Sequence, residues 1–226
     1  MRIPNTGAAR LMLLALLYGC GGDSIDSAAE SAPTRSPLLR TTDFAETAPA
    51  RYRVEMETSE GVVAIEVTRA WAPLGADRFY NLAKGGFYDD TRIYRVLDNF
   101  MAQWGLNGDP YVNQAWKSEF IVDDPVTQSN LRGRVAFAKG GVHTRTTEIF
   151  ISTKDNGPLD ENGFAPFGEV VEGMEIVDRF YSAYGDGPPR GEGPYQAMAA
   201  ARGNAYFDEE FPELTRIISM RVLEGG

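Results

Sequence analysis

The sequence has only one cysteine and one histidine among its 226 residues. The single cysteine, Cys20, excludes a disulfide bond within the chain. Together, Cys20 and His143 are too few ligands for a transition-metal site of the usual kind. No Gly-x-Ser-x-Gly segment offers a serine nucleophile, so we expect His143 in an exposed loop and not in a hydrolytic triad. The sequence therefore predicts neither a bound metal nor a cofactor.

Long apolar runs and clusters of basic residues are also missing. No stretch of 18 or more apolar residues occurs, so the sequence predicts no membrane-spanning helix. There are 22 lysines and arginines against 32 aspartates and glutamates, which gives a formal net charge of -10. This charge disfavours nucleic acid as a partner, because phosphate contacts require clustered basic side chains. It disfavours adhesion to anionic lipid surfaces for the same reason.

The N-terminal residues have the organisation of an export signal. Arg2 and Arg10 supply positive charge without an acidic residue, and the apolar run 11–17 follows them. This run is too short to cross a bilayer. Cys20 follows a Leu-Tyr-Gly segment that resembles the lipobox of bacterial lipoproteins. The resemblance implies removal of residues 1–19 and lipidation of Cys20; a plain signal peptide with a chance cysteine is the alternative.

The residues that follow Cys20 predict where the protein resides. No aspartate directly follows the cysteine, which in enterobacteria-like sorting implies the outer membrane, on its periplasmic side. Residues 20–50 are rich in Ala, Ser, Thr, Pro and acidic residues and show no helical or alternating period. This composition predicts a flexible tether between the lipid and a folded domain at 51–226.

The pattern from residue 51 onward predicts a mainly β domain. Alternating apolar residues on both sides of Ser59-Glu60-Gly61 predict a hairpin over 52–67. One helix should begin at Ala72-Pro73 and end at Gly85-Gly86, and a second should span 173–181. Many short strands with two helices favour a closed barrel capped by helices. The remaining strands are predicted at 93–97, 100–104, 135–138, 149–152, 164–171 and 217–223.

Residues 183–211 interrupt the step from the second helix to the last strand. This segment begins Gly-Asp-Gly-Pro-Pro at 185–189 and continues with a helix-like stretch at 195–202. We expect a surface insertion, to which the sequence assigns no function.

Several segments in fixed order resemble the cyclophilins. Residues 93–103, Ile-Tyr-Arg-Val-Leu-Asp-Asn-Phe-Met-Ala-Gln, resemble the signature of that family, an aromatic-rich strand with arginine followed by Gly-Phe-Met-x-Gln. Segments 134–139, 148–151 and 159–174 resemble its later motifs. The resemblance covers about residues 52–223. It implies an eight-stranded antiparallel barrel with a helix at each end, and peptidyl-prolyl cis-trans isomerase activity on extended, proline-containing polypeptides.

The resemblance also implies the roles of individual residues. Arg95 would be the catalytic cation that donates a hydrogen bond to the rotating amide, and Gln103 would help to orient it. Backbone groups near Ala138 would pair with the extended substrate. Taken alone, the apolar residues would more often belong to a core. The residues that match the proline pocket are Phe100, Met101, Phe150 and Leu159.

The sequence departs from the family at four positions. Lys139 replaces an asparagine, Pro158 an aromatic residue, and Phe164 a histidine at the pocket rim, where Phe164 retains an aromatic wall. Glu148 replaces a glutamine. Its carboxylate would either pair with Arg95 and compete with substrate, or pair with Lys139 and leave Arg95 free. Both alternatives stay open, and we expect lowered but real activity.

Three functions are compatible with these observations. The leading prediction is a rotamase that assists the folding of exported proteins, since slow proline isomerisation limits folding. The second is a binding module that grips proline segments with little turnover. The third is an envelope scaffold that uses residues 183–211 for contact. In each case we expect a monomer held to the membrane only by its lipid.

Overall fold

The computed structural model describes residues 36–223, which form a mainly β structure. A single nine-stranded antiparallel sheet has the order β3-β9-β1-β2-β8-β6-β7-β5-β4. Its edge strands, β3 and β4, are separated along the chain only by residues 93–94, so the sheet must curl until its two edges lie close together. The strands are β1 (Arg51–Thr58), β2 (Gly61–Thr68), β3 (Thr91–Arg92), β4 (Arg95–Leu97), β5 (Met101–Trp104), β6 (Arg134–Phe137), β7 (Ile149–Ser152), β8 (Pro166–Glu172) and β9 (Arg216–Leu223).

The predicted mainly β, antiparallel architecture is confirmed, with one strand more than expected. The predicted hairpin is confirmed by β1 and β2, in which Thr58 lies opposite Gly61. Of the predicted strand 93–97 only β4, Arg95–Leu97, is a strand, and it pairs with β5; β3 precedes the predicted segment and pairs with β9. Between them the Ile93 amide donates to the Thr215 carbonyl at 3.0 Å, so the chain passes from one sheet edge to the other at this point.

The helices are more numerous and shorter than predicted. The first prediction is confirmed by α1, but the second is too long, since its helix ends at Val177 and Phe180 is buried outside it. A helix at Pro110 was missed, although Asp109 caps it by accepting from the Tyr111 amide at 2.8 Å. The described residues contain α1 (Pro73–Lys84), α2 (Pro110–Trp116), α3 (Pro158–Glu161), α4 (Met174–Val177), α5 (Gln196–Arg202) and α6 (Asn204–Glu210). None of these helices has both the length and the apolar character that a membrane crossing requires.

The main core lies between the sheet and α1. Phe79 of α1 packs on Phe167 of β8, with ring centroids 5.0 Å apart, and Phe137 of β6 lies 5.3 Å from Phe167. All three side chains are almost completely removed from water. Burial of such large apolar surfaces is the main favourable term in folding.

The predicted tether is wrong for residues 36–50, which pack against the domain. Short 3-10 turns at Pro37–Leu39 and Thr41–Asp43 bring Phe44 against Trp116 of α2, with centroids 5.2 Å apart. The Trp116 indole N–H also donates to the Leu38 carbonyl at 2.8 Å. Turns this short leave no periodic pattern in the sequence, so these residues could not be distinguished from a linker by pattern or composition.

The other predictions for the N-terminal region lie outside the described residues. These are the signal peptide at 1–19, Cys20 with its lipid, and the tether over 20–35.

The insertion at 183–211 is more than the surface excursion that was expected. Its helices α5 and α6 bury Ala199 and Phe207 in a second small core against Tyr94 and Leu106. The rings of Tyr94 and Phe207 are stacked with centroids 6.0 Å apart. The insertion therefore packs onto the segment that leads into β4.

Candidate active site

The register of four adjacent strands places chemically different side chains in one row. Arg95 of β4 lies opposite Gln103 of β5, Gln103 lies opposite Phe150 of β7, and Phe150 lies opposite Ala136 of β6. Directly opposed residues project from the same face of a sheet. Alternation sends their neighbours, such as Ile151, into the main core instead. The row is therefore a consequence of strand pairing.

A cleft of about 540 Å3 lies over this row. The structure brings together every residue predicted to bind substrate or to catalyse, although the sequence separates them widely. The cleft is lined by Arg95, Phe100, Met101, Gln103, Ala138, Lys139, Glu148, Phe150, Leu159 and Phe164.

One part of the cleft is an apolar notch, formed by Phe100, Met101, Phe150, Leu159 and Phe164. Phe150 and Met101 are buried at its base, while the other three side chains remain partly exposed at its rim. The Phe150 and Phe164 rings meet edge to face at 5.8 Å. The notch is separate from the main core, so its apolar surface faces the cleft and suits a small apolar ring.

The Arg95 guanidinium lies beside the notch and is held from two sides. Its Nη1 donates to Gln103 Oε1 at 3.0 Å and contacts Met101 Sδ at 3.8 Å. Its Nε and Nη2 donate to the two carboxylate oxygens of Asp186 at 2.7 and 3.2 Å. These hydrogen bonds lower the pKa of Asp186, so the carboxylate is ionised at neutral pH. A residue of the insertion thus neutralises the charge of Arg95.

Glu148 adopts neither of the two arrangements considered from the sequence. Its carboxylate accepts hydrogen bonds from the Tyr94 hydroxyl, from Gln103 Nε2 at 2.8 Å and from Gln196 Nε2 at 2.6 Å. Burial, together with the nearby Glu148 charge, raises the pKa of Tyr94 well above its ordinary value, so the hydroxyl keeps its proton and donates it. Glu148 therefore orients Gln103 and does not pair with Arg95.

Lys139 is also bound elsewhere. Its Nζ lies 2.8 Å from Asp123 Oδ2 and 5.4 Å from the centre of the Phe164 ring. It therefore steadies the rim of the notch and does not pair with Glu148. The Ala138 amide donates to the Glu148 carbonyl at 2.9 Å, so that amide is already engaged and only the carbonyl of Ala138 remains for an extended substrate. His143 lies in an exposed loop, as expected.

Sequence reasoning missed three residues of the site, namely Tyr94, Asp186 and Gln196. Tyr94 lies within the signature segment, but its role becomes visible only with its partner Glu148. Asp186 and Gln196 belong to the insertion, and Asp186 is 91 positions from Arg95. The glycines and prolines around Asp186 indicated a turn, and a turn signal does not reveal which distant residue the turn contacts.

The chain matches known proteins of one kind. Residues 53–198 match the family model described as cyclophilin type peptidyl-prolyl cis-trans isomerase/CLD. The chain is 33% identical over 135 residues to the peptidyl-prolyl cis-trans isomerase of Acinetobacter baylyi, covering 58% of this chain and 72% of that protein. It is 31% identical over 135 residues to peptidyl-prolyl cis-trans isomerase B of Escherichia coli, covering 56% of this chain and 82% of that protein.

A solved structure has the same fold. The crystal structure of the cyclophilin type peptidyl-prolyl cis-trans isomerase of Cryptosporidium parvum matches with a TM-score of 0.57, covering 78% of this chain and 99% of that one. The sequence identity is 17%, so this likeness concerns the fold alone.

Proposed function

The chain belongs to the cyclophilin-type peptidyl-prolyl cis-trans isomerase family, and from this premise we propose that it uses Arg95 and the apolar notch to accelerate X-Pro isomerisation in exported proteins. The isomerase activity is that of the family. The observation that carries the assignment of residues is the row in which Arg95, Gln103 and Phe150 lie side by side.

The reaction requires no covalent chemistry from the protein. Rotation about a peptide bond breaks amide resonance, with a barrier of roughly 18–20 kcal/mol, and the uncatalysed X-Pro step takes tens to hundreds of seconds. No bond is formed or broken. A catalyst has only to bind the twisted amide more tightly than the planar one. In the twisted form the nitrogen regains its lone pair and accepts a hydrogen bond, and the amide becomes less polar.

The cleft offers both features that this reaction needs. The notch provides an apolar site for the proline ring, and Arg95 provides a donor whose direction is fixed by Gln103. A guanidinium has five N–H groups. Gln103 and Asp186 together accept from three of them, and Met101 Sδ, a weak acceptor, contacts Nη1, which leaves the second N–H of Nη2 for the twisted nitrogen.

Asp186 favours a second candidate, a module that binds proline segments with little turnover. Its carboxylate engages two nitrogens of Arg95 and so weakens the cation on which catalysis depends. A protease-free or coupled proline-peptide assay, with calorimetry on the same peptide, distinguishes the two functions. We expect acceleration of the cis-trans step over the uncatalysed rate. Binding without acceleration would instead support the module.

We also propose that the protein is exported and carried on a membrane by a lipid on Cys20. Support comes from the basic start, the short apolar run and the Leu-Tyr-Gly-Cys segment in the first 20 residues. Its substrates would then be unfolded or extended polypeptides in the cell envelope.

The lipid is tested by replacing Cys20 with alanine. After expression in a Gram-negative bacterium, we expect the wild type in the membrane fraction and Cys20→Ala in the soluble fraction, because acyl chains supply the membrane affinity. Arg95→Ala is the matched control and should stay with the membrane. Retention of Cys20→Ala in the washed membrane would contradict the lipid anchor.

The Glu148→Gln variant tests the network beside Arg95. We expect kcat/KM for a proline peptide to change by no more than about twofold. The reason is that the Glu148 carboxylate contacts Tyr94 and Gln103 and does not contact the Arg95 guanidinium. The same peptide assay measures it. A large rise would mean that Glu148 competes with substrate for Arg95, contrary to the observed contacts.

A further inference from the structure

The contact between the insertion and Arg95 has a consequence for turnover. We propose that Asp186 restrains this isomerase by holding the catalytic guanidinium in an ion pair; this inference rests on the proposed role of Arg95. Asp186 touches no reacting atom in this scheme. It acts through Arg95 and is therefore a positioning residue.

The ion pair has the geometry of a strong interaction. The two carboxylate oxygens of Asp186 accept from two different nitrogens of Arg95, at 2.7 and 3.2 Å. Such paired, charge-assisted hydrogen bonds are stronger than those between neutral groups. The side chains are only 21% and 17% exposed, so water and salt screen the pair incompletely. A negative charge in this position opposes the positive potential that the twisted amide nitrogen requires.

The loop that carries Asp186 is compact and bonded to itself. The backbone carbonyl of Asp186 accepts from the Gly193 amide at 2.9 Å. The Gly187 carbonyl accepts from the Arg190 and Gly191 amides at 3.1 and 3.2 Å. A Cβ on Gly187 would lie 2.3 Å from the Pro194 carbonyl oxygen, so a side chain does not fit there. The backbone thus holds the Asp186 carboxylate in place before any substrate arrives.

The rest of the insertion fixes this loop to the sheet and its neighbouring segments at points close to Arg95. Arg92, nearly fully buried, donates to Asp208 at 2.7 Å, and Phe207 stacks on Tyr94. Gln196 donates to Glu148, which in turn accepts from Gln103, the other partner of Arg95. These contacts surround the short strand β4 that carries Arg95. The placement of Asp186 is therefore part of the packed fold.

A second arginine holds Asp186 from the solvent side. Arg190 Nε lies 2.8 Å from Asp186 Oδ2, and its side chain is 73% exposed. Asp186 consequently has a partner when a substrate draws the Arg95 guanidinium toward the proline nitrogen. Substrate binding would then leave the carboxylate paired, while the negative charge of Asp186 still weakens the hydrogen bond that Arg95 donates to the rotating amide.

This weakening of the donor should affect the transition state more than the ground state. The planar amide nitrogen is a poor acceptor, and only the twisted amide makes full use of the guanidinium. Weakening a hydrogen bond that forms only in the transition state lowers kcat and leaves KM nearly unchanged. The proposal therefore predicts which kinetic constant changes.

The test compares Asp186→Asn with wild type on a proline peptide. Asparagine keeps the size of the side chain and removes its charge. We expect kcat to rise roughly three- to tenfold at nearly constant KM, a fraction of what a preorganised donor contributes in other enzymes. Glu192→Gln is the matched control, because this exposed acid lies in the same loop and makes no ion pair within residues 36–223; it should not change kcat.

A double variant shows whether the effect passes through Arg95. In an Arg95→Ala background, Asp186→Asn should give no gain. A gain that persists there, an unchanged or lowered kcat in the single variant, or a change confined to KM would each overturn the proposal. Should Asp186→Asn fail to fold by circular dichroism, Asp186→Ser removes the same charge. Equal rates for wild type and Arg95→Ala would instead refute the proposed role of Arg95.

Discussion

Replacing Arg95 with alanine should lower kcat/KM for a proline peptide by about a hundredfold, the loss typical when one preorganised donor is removed from an active site. The reason is that the notch alone can hold the proline ring but cannot donate to the twisted nitrogen. Since this donor acts mainly on the twisted amide, the loss should appear in kcat. A protease-free assay of cis-trans conversion measures both constants.

Two further arginine variants make this result specific. Arg95→Lys keeps the charge but loses the planar fork that contacts Gln103 and Asp186, so we expect it to recover only a small part of the activity. Arg51→Ala removes an exposed arginine on β1 that does not line the cleft, and it should behave as wild type. Wild-type activity in a folded Arg95→Ala protein would show that this guanidinium is not used.

Replacing Asp124 with alanine should lower the free energy of unfolding by about 3–5 kcal/mol, as expected when a buried ion pair loses one partner. Asp124 Oδ2 accepts from both terminal nitrogens of Arg145 at 3.0 Å, and the Arg145 side chain is only 2% exposed. The variant would leave this cation buried. Asp123 Oδ1, 3.3 Å from Arg145 Nε, still offsets part of the charge, which favours the lower end of the range.

Asp124 also supports the first turn of α1. Its two oxygens accept from the amides of Leu74 and Gly75 at 3.0 and 2.9 Å. The N-cap residue, Ala72, has no side chain that could accept from these amides, so Asp124 takes this role. Asp124→Asn should therefore cost less than Asp124→Ala, because an amide oxygen can still accept from the helix. Urea unfolding of both variants measures the difference. Glu213→Ala, at an exposed acid, is the control and should change stability by less than about 0.5 kcal/mol.

A decrease in the free energy of unfolding of less than about 1 kcal/mol for Asp124→Ala would contradict a stabilising role of the buried ion pair, because exposed ion pairs contribute that little. It would mean that Arg145 finds another partner or reaches water once Asp124 is gone.

Local patterns were informative wherever structure depends on neighbours in the chain. Alternation and a turn signal predicted the hairpin of β1 and β2, and a proline start with a glycine end predicted α1. The segment from Ile93 to Gln103, together with the later motifs, indicated the family and the residues that line the cleft. The same information was insufficient for the second helix, because the burial of Phe180 depends on tertiary packing and not on helical spacing.

The mainly β class, the family and the chemical parts of the site could all be predicted from the amino-acid sequence. These parts are an arginine and a set of apolar side chains. The contacts of Arg95 could not be predicted in this way, because they depend on tertiary packing. Glu148, which the sequence suggested as a partner for Arg95, is hydrogen-bonded to Tyr94 and Gln103. Asp186 of the insertion forms the ion pair with the Arg95 guanidinium instead. Residues 36–50 likewise become part of the domain through Trp116. In both cases the contacts join residues that are far apart in the chain, and their energy depends on packing and charge that no local pattern encodes.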